Sequence, residues 1–277
     1  MRSTRDTLTY SLLLLSFVAS APTNPSASAQ VGDPASFVVP FIGTVSGGHV
    51  FPGATLPHGM VKAGMDTDSP ENHAGYDGNP RWGVTGFSQL HDDGTGGSPP
   101  LSNFKLYPHA DCASLESCQT SIFTRRVYRE SRPDGSPDDA ASPGYFSTNL
   151  TTGVRVELTA TRRTALHRYT YHPGTKQPRI LVDFTNDGGL TGVDPEGTVD
   201  PKGRISGGAR FAGSFGPGWY KAFTCVDFKG EGYDIGEPVE YGVFTDNTVH
   251  RNQTDIGNNF GRKTFPNIFC SSKDFDN

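Results

Sequence analysis

The clearest periodic signal in the chain is "GVRVELTATRRTALHRYTYHP", where Val154, Val156, Leu158 and Ala160 alternate with Arg155, Glu157 and Thr159. Strict alternation places one side of a strand in a core and the other in water. With "SPGYFSTNL" just upstream, residues 144–160 are predicted to form a β-hairpin turning at Gly153. A second alternating run, Ala165 to Tyr171, folds back on the first, and "RILVDF" (179–184) adds a fuller apolar strand, completing a meander. Further strands are predicted at 36–41, 59–66, 102–108, 203–211 and 219–228. No stretch of twelve or more residues has apolar positions at i, i+3, i+4 and i+7, so no long helix is expected.

The fold predicted from this pattern is all-β: a large antiparallel β-sandwich with long Gly/Pro-rich loops, occupying residues 30–250. Two stretches read as loops. "VDPEGTVDPKG" (193–203) is expected on the surface, and "GFSQLHDDGTGGSPP" (86–100) holds too many glycines and prolines for a regular central strand. From 251 to 277 the alternation fades, and an irregular tail is expected.

Composition supports this reading, with 34 glycines and 21 prolines in 277 residues, about a fifth of the chain. Residues 1–29 read as a secretory signal peptide: Arg2 and Arg5, an apolar run from Tyr10 to Val18, then small residues ending Ala27-Ser28-Ala29. The apolar run is too short to span a bilayer, so the expected product is secreted, extracellular and free of the membrane. A net charge of −5 without a basic stripe argues against nucleic-acid binding. Four cysteines suit an oxidising compartment; of three possible connectivities, a local Cys112–Cys118 staple is favoured because only five residues separate the two. Sequons at Asn149 and Asn252 suggest glycans on exposed turns in a eukaryotic host.

Local motifs exclude more than they assign. "GTGG" lacks the strand-to-helix context of a phosphate loop, and "DTDSPENHAGYDG" has Pro70 and Glu71 where a calcium loop needs a ligand and the turn glycine. "GFSQL" misses the second glycine of a nucleophile elbow. Among eight histidines, His49 and His91 stand out because nearby glycines let the backbone present a side chain or approach a ligand. Trp82 suits the apolar face of a sugar, against an alternative of buried packing. In a Gly-rich loop Asp92 or Asp93 could face a ligand, against the alternative of a solvated turn.

The order of motifs says more than any one of them. Phe41-Ile42-Gly43-Thr44, Phe51-Pro52-Gly53-Ala54, Pro57, Gly59-Met60-Val61, Gly86-Phe87-Ser88, His91 and Gly94-Thr95-Gly96 are followed by Ser142-Pro143-Gly144-Tyr145, Glu157-Leu158-Thr159-Ala160-Thr161 and His167-Arg168-Tyr169. In this order they resemble the N-terminal domain of glycoside hydrolase family 92, the calcium-dependent exo-α-mannosidases, over residues 37–228. The chain departs from the family at Gln89, where a second histidine is usual, at Asp92-Asp93, where Leu-Ser is usual, and at His58, where Phe is common.

The resemblance implies a carbohydrate-binding sandwich of the galactose-mutarotase-like type, packed against a C-terminal (α/α)₆ barrel. It further implies inverting hydrolysis of α-mannosides, with acid and base in the barrel and calcium helping to bind and distort the terminal mannose. No residue of this chain matches a catalytic acid or base. The expectation is therefore a truncated half, with the last sandwich strands and the barrel missing, and a mannose pocket lined by His49, Phe51, Trp82, His91, Asp92, Asp93 and Thr95. His91, Trp82 and His49 should then gather on one open side. Two alternatives are a lectin-like mannose-binding module and a non-functional remnant with an exposed apolar flank.

Overall fold

The structure, a computed structural model, describes residues 32–91, 102–110, 112–213, 218–230, 238, 240–245 and 248–256, together with the backbone of 267–271. The expected signal peptide, residues 1–29, lies outside them. Apart from two 3₁₀ turns, Pro34–Phe37 and Leu115–Ser117, the described residues form strands, turns and loops. In chain order the strands are β1 (Ala54–Thr55), β2 (Lys62–Thr67), β3 (Val84–His91), β4 (Ser102–His109), β5 (Asp139–Ser142), β6 (Tyr145–Asn149), β7 (Arg155–Ala160) and β8 (Ala165–Thr170). They continue as β9 (Arg179–Asp183), β10 (Val193–Val199), β11 (Ile205–Ala212), β12 (Trp219–Val226), β13 (Glu240–Thr245), β14 (Thr248–Arg251) and β15 (Asn267–Ser271).

They pair into three sheets: eight strands in the order β1-β2-β3-β4-β9-β15-β13-β14, four in the order β5-β6-β7-β8, and three in the order β10-β11-β12. Adjacent residues of the central strands belong to different cores. Tyr107 of β4, Leu181 of β9 and Phe244 of β13 pack with Phe146, Val156 and Leu158 of the four-stranded sheet. Their neighbours Leu106, Val182 and Val243 pack with Ile205, Phe211 and Val226 of the three-stranded sheet. Side chains of a strand alternate between faces, so β4 and β9 are buried along their whole length and covered on both sides. This is the all-β sandwich that the sequence predicts.

The hairpin forms where alternation placed it. β6 pairs antiparallel with β7, and Gly153 takes φ +79° in the turn between them. Val156 and Leu158 are fully buried, each contributing about 1.5–3 kcal/mol, while Arg155 and Thr159 face water. Cys112 and Cys118 form the expected local disulfide, and Cys225 is an exposed free thiol.

Four expectations are corrected. Residues 36–41 are not a strand: Asp33 accepts from Ala35 N at 3.0 Å to cap a 3₁₀ turn begun by Pro34, and Phe37, Val38, Val39 and Ile42 are left exposed. Their apolar character argued for burial, but no neighbouring strand reaches them in the sheets formed. Residues 86–91, expected as part of a loop, are the body of β3. Gly86 lies beside a bulge opposite Asp66, where an added Cβ would come 3.0 Å from Lys105 Cβ. A glycine inside a strand marks such a bulge and close approach.

Residues 193–199, expected as surface loop, form edge strand β10, with Pro195 inside the register shift between Val193 and Glu196. Edges and bulges are where a strand tolerates proline. Finally, the segment expected as an irregular tail contributes β15, paired with β9 on one side and β13 on the other.

The second core depends on a glycine pair. Gly197 and Gly207 face each other across β10 and β11, against the ring of Phe184. A Cβ on Gly207 would lie 2.4 Å from Glu196 O, 2.7 Å from Phe184 Cε1 and 2.8 Å from Gly197 Cα, two of them backbone atoms that cannot rotate away. Gly207→Ala is therefore expected to cost about 1–3 kcal/mol in a urea titration, and no loss would mean that the sheets separate more easily than this packing implies.

Candidate functional site

Where β2, β3 and β4 run side by side, charged and polar side chains are drawn into the interior. Asp66 Oδ1 lies 3.0 Å from His91 Nε2, and its Oδ2 accepts from Ser88 Oγ and lies 3.3 Å from Lys105 Nζ. Lys105 Nζ also donates to Ser88 Oγ at 3.2 Å and to both Ser102 O and Ser102 Oγ at 2.7 Å. His91 Nδ1 meets the carbonyl of Lys62 at 2.9 Å; a carbonyl only accepts, so Nδ1 carries a proton. Asp66 and Lys105 are each 2% exposed, so these contacts replace water almost entirely.

Local sequence makes room for this network. A Cβ on Gly75 would lie 2.3 Å from Asp66 Oδ1, and one on Gly64 would lie 3.0 Å from His91 Cε1. The ring of Phe51 stacks on His91 at 4.4 Å with an interplanar angle of 20°. Burial alone would raise the Asp66 pKa; Lys105 and His91, with the hydrogen bonds from His91 and Ser88, outweigh it and hold the carboxyl well below the usual range.

His167 on β8 lies within electrostatic reach of His91. Burial first, and His91 second, lower its pKa to about 4, so the ring is neutral at pH 7. Its Nδ1 lies 3.1 Å from Tyr169 Oη, while Nε2 is shut off from solvent without a partner. Tyr169 turns edge-on to Phe87 at 6.0 Å, and burial, then Tyr171, raise its hydroxyl well above the ordinary value.

The structure places the residues expected to line a pocket as follows. His49 is half-buried in the left-handed region, φ +55°, with Nδ1 accepting from His73 N at 3.0 Å and its ring 4.7 Å from that of His73. Phe51, two residues on, lies against His91. The glycines near His91 admit its ring to the interior instead of presenting it outward, and both ring nitrogens are engaged. Trp82 is half-buried under the Arg81 guanidinium at 4.5 Å, with no described contact joining it to His91 or His49. Asp92, Asp93 and Thr95 lie outside the described residues.

Sequence reasoning missed Asp66, Ser88, Ser102 and Lys105. The available signal was a charge carried by each of two predicted strands, Asp66 at the end of 59–66 and Lys105 inside 102–108. His91 and Ser102 face each other across β3 and β4, so the network ties together the two ends of the segment that carries Asp92, Asp93 and Thr95.

Calcium takes six to eight oxygen ligands. Among the described residues no three carboxylates converge; the one group of three donor residues is His109, Cys112 and Cys118, whose sulfurs are joined in the disulfide.

Comparison with known proteins adds the relationships. The model of the glycosyl hydrolase family 92 N-terminal domain matches residues 37–266. A relative from Arthroderma benhamiae, an uncharacterized secreted glycosidase, is 38% identical over 224 residues, covering 76% of this chain and 27% of its own length. Two solved structures from Bacteroides thetaiotaomicron share the fold at 21% identity and 86% coverage of this chain. One is a family GH92 inverting mannosidase, TM-score 0.64 over 29% of its length. The other is a family GH92 α-mannosidase in complex with mannoimidazole, TM-score 0.68 over 30% of its length. The chain spans less than a third of each of these relatives.

Proposed function

This chain belongs to glycosyl hydrolase family 92, of which it carries the N-terminal domain, and we propose that it serves α-mannoside hydrolysis as the substrate-shaping part of a secreted, inverting enzyme. The reading rests on what the buried carboxylates already do. Asp66 is bound to Lys105 and His91, Asp139 to Arg129 and Tyr76, Asp183 to Arg125, and Asp187 to Thr191 and Gly189 N. Inverting hydrolysis needs one carboxyl to protonate the leaving oxygen and another to activate water across the bond. Carboxylates committed to structural bonds are poor candidates for either task, which supports a reading in which a counterpart supplies the chemistry.

On this reading His49, Phe51, Trp82, Thr95 and one of Asp92 or Asp93 contribute to a mannose pocket, with the buried His91 ring stacked on Phe51, and calcium belongs to the assembled enzyme. The exposed Phe37, Val38, Val39 and Ile42 support the need for a covering counterpart. The isolated chain is expected to show no hydrolysis of an aryl α-mannoside above a boiled control, and to bind mannose in the millimolar range or more weakly. Exchanged for the matching domain of the Arthroderma relative, it is expected to support whatever α-mannosidase activity the parent shows. Turnover by the isolated chain, or a folded but inactive exchange in an active parent, would overturn the reading; micromolar mannose binding would point to a lectin-like module.

A further inference from the structure

The two sequons, Asn149-Leu150-Thr151 and Asn252-Gln253-Thr254, have opposite surroundings. Asn149 ends β6, half-buried, with Nδ2 donating to Asp138 Oδ2 at 2.6 Å; the next residue, Leu150, is 1% exposed, and Thr151 Oγ1 donates to Tyr128 O at 3.2 Å. Both the amide nitrogen that would carry a sugar and the hydroxyl two residues on are thus already held in hydrogen bonds to neighbouring segments, although Thr151 itself is exposed. Asn252 is exposed and follows β14 directly, with φ +57°. Its turn is anchored through the backbone, Asn252 N to Tyr241 O at 3.0 Å and Val199 N to Thr254 O at 2.8 Å, while Asn252 and Thr254 are both exposed.

We infer that Asn252 is an N-glycosylation site and that Asn149 is not. In the transfer, Asn252 Nδ2 bonds to the anomeric carbon of a lipid diphosphate-linked oligosaccharide. The bond from that carbon to the diphosphate oxygen breaks, the diphosphate leaves with the electron pair, and the amide gives up one proton. An exposed turn leaves room for a bulky hydrophilic glycan. The location also has a physical use. β14 is an edge of the eight-stranded sheet, and open edges invite pairing with other chains. A glycan on the adjoining turn screens that edge.

The test is expression of the full chain in a eukaryotic secretory host, with glycopeptide mapping of both medium and membrane fractions. One glycan per chain is expected, on Asn252, giving one mobility step on enzymatic deglycosylation. Asn252→Gln and Thr254→Ala each remove that step, and Asn149→Gln leaves it unchanged. A chain without glycan in both fractions, or with occupied Asn149, overturns the inference.

Discussion

Asp66→Asn is expected to cost the folded domain about 3–5 kcal/mol, because it leaves Lys105 as a buried cation without its counter-charge. The pair itself is a weaker source of stability than that number suggests. Replacing both partners by apolar residues of similar volume, Asp66→Leu with Lys105→Met, is expected to recover part of the loss, since the buried lysine charge goes with its counter-charge. Urea unfolding of the three variants decides between this account and simple loss of packing, in which the double change would be the worst.

The same carboxyl sets an acid limit. The folded Asp66 pKa lies below its unfolded value near 4, so its contribution is complete above about pH 4 and is lost as pH falls towards the folded value. Asp66→Asn should therefore show a flatter decline of stability below about pH 4 than the parent domain. Equal slopes would mean that the carboxyl is not held ionised by its partners.

Arg129→Met is expected to have a comparable effect, about 3–5 kcal/mol, at a separate place. Arg129 Nη1 donates to Asp139 Oδ2 at 2.7 Å, and Nη2 donates to Asp77 O at 3.0 Å and Asn79 O at 2.8 Å. The substitution strands Asp139, 3% exposed, with Tyr76 as its remaining described donor at 2.7 Å, and releases the backbone of 77–79 just before Trp82. Tyr76→Phe alone removes one charge-assisted bond and should cost about 1.5–3 kcal/mol. Because both donors serve the same oxygen, the double variant should depart from the sum of the two by more than 0.5 kcal/mol. Strict additivity, or an Arg129→Met loss under 1 kcal/mol, would show that Asp139 finds water instead.

How far the sequence could be read depended on whether local pattern and tertiary contact agreed. At β7 they did: one face meets the core and the other meets water, so alternation and burial are the same information. At β4 every residue is buried, and Lys105 is accepted there because a carboxylate from β2 reaches it, a fact that no spacing along the chain contains. Glycine was read as loop at 86, where in the fold it clears space for a bulge, and the His91 imidazole finds its room beside Gly64 and Gly75, far from it in sequence. Residues 36–41 erred the other way, since an apolar run needs a partner to become a strand.

The amino-acid sequence by itself determined the all-β class, the 144–160 hairpin, the Cys112–Cys118 staple and, through the order of its motifs, the family. These rest on short-range alternation, short loop closure and residue identity, which the linear chain records directly. Tertiary structure alone decided that β15 pairs between β9 and β13, that His91 turns inward onto Asp66, and that Asn149 and Asn252 differ in exposure. Each depends on which distant segments meet, and burial acts on those meetings after the strands have formed.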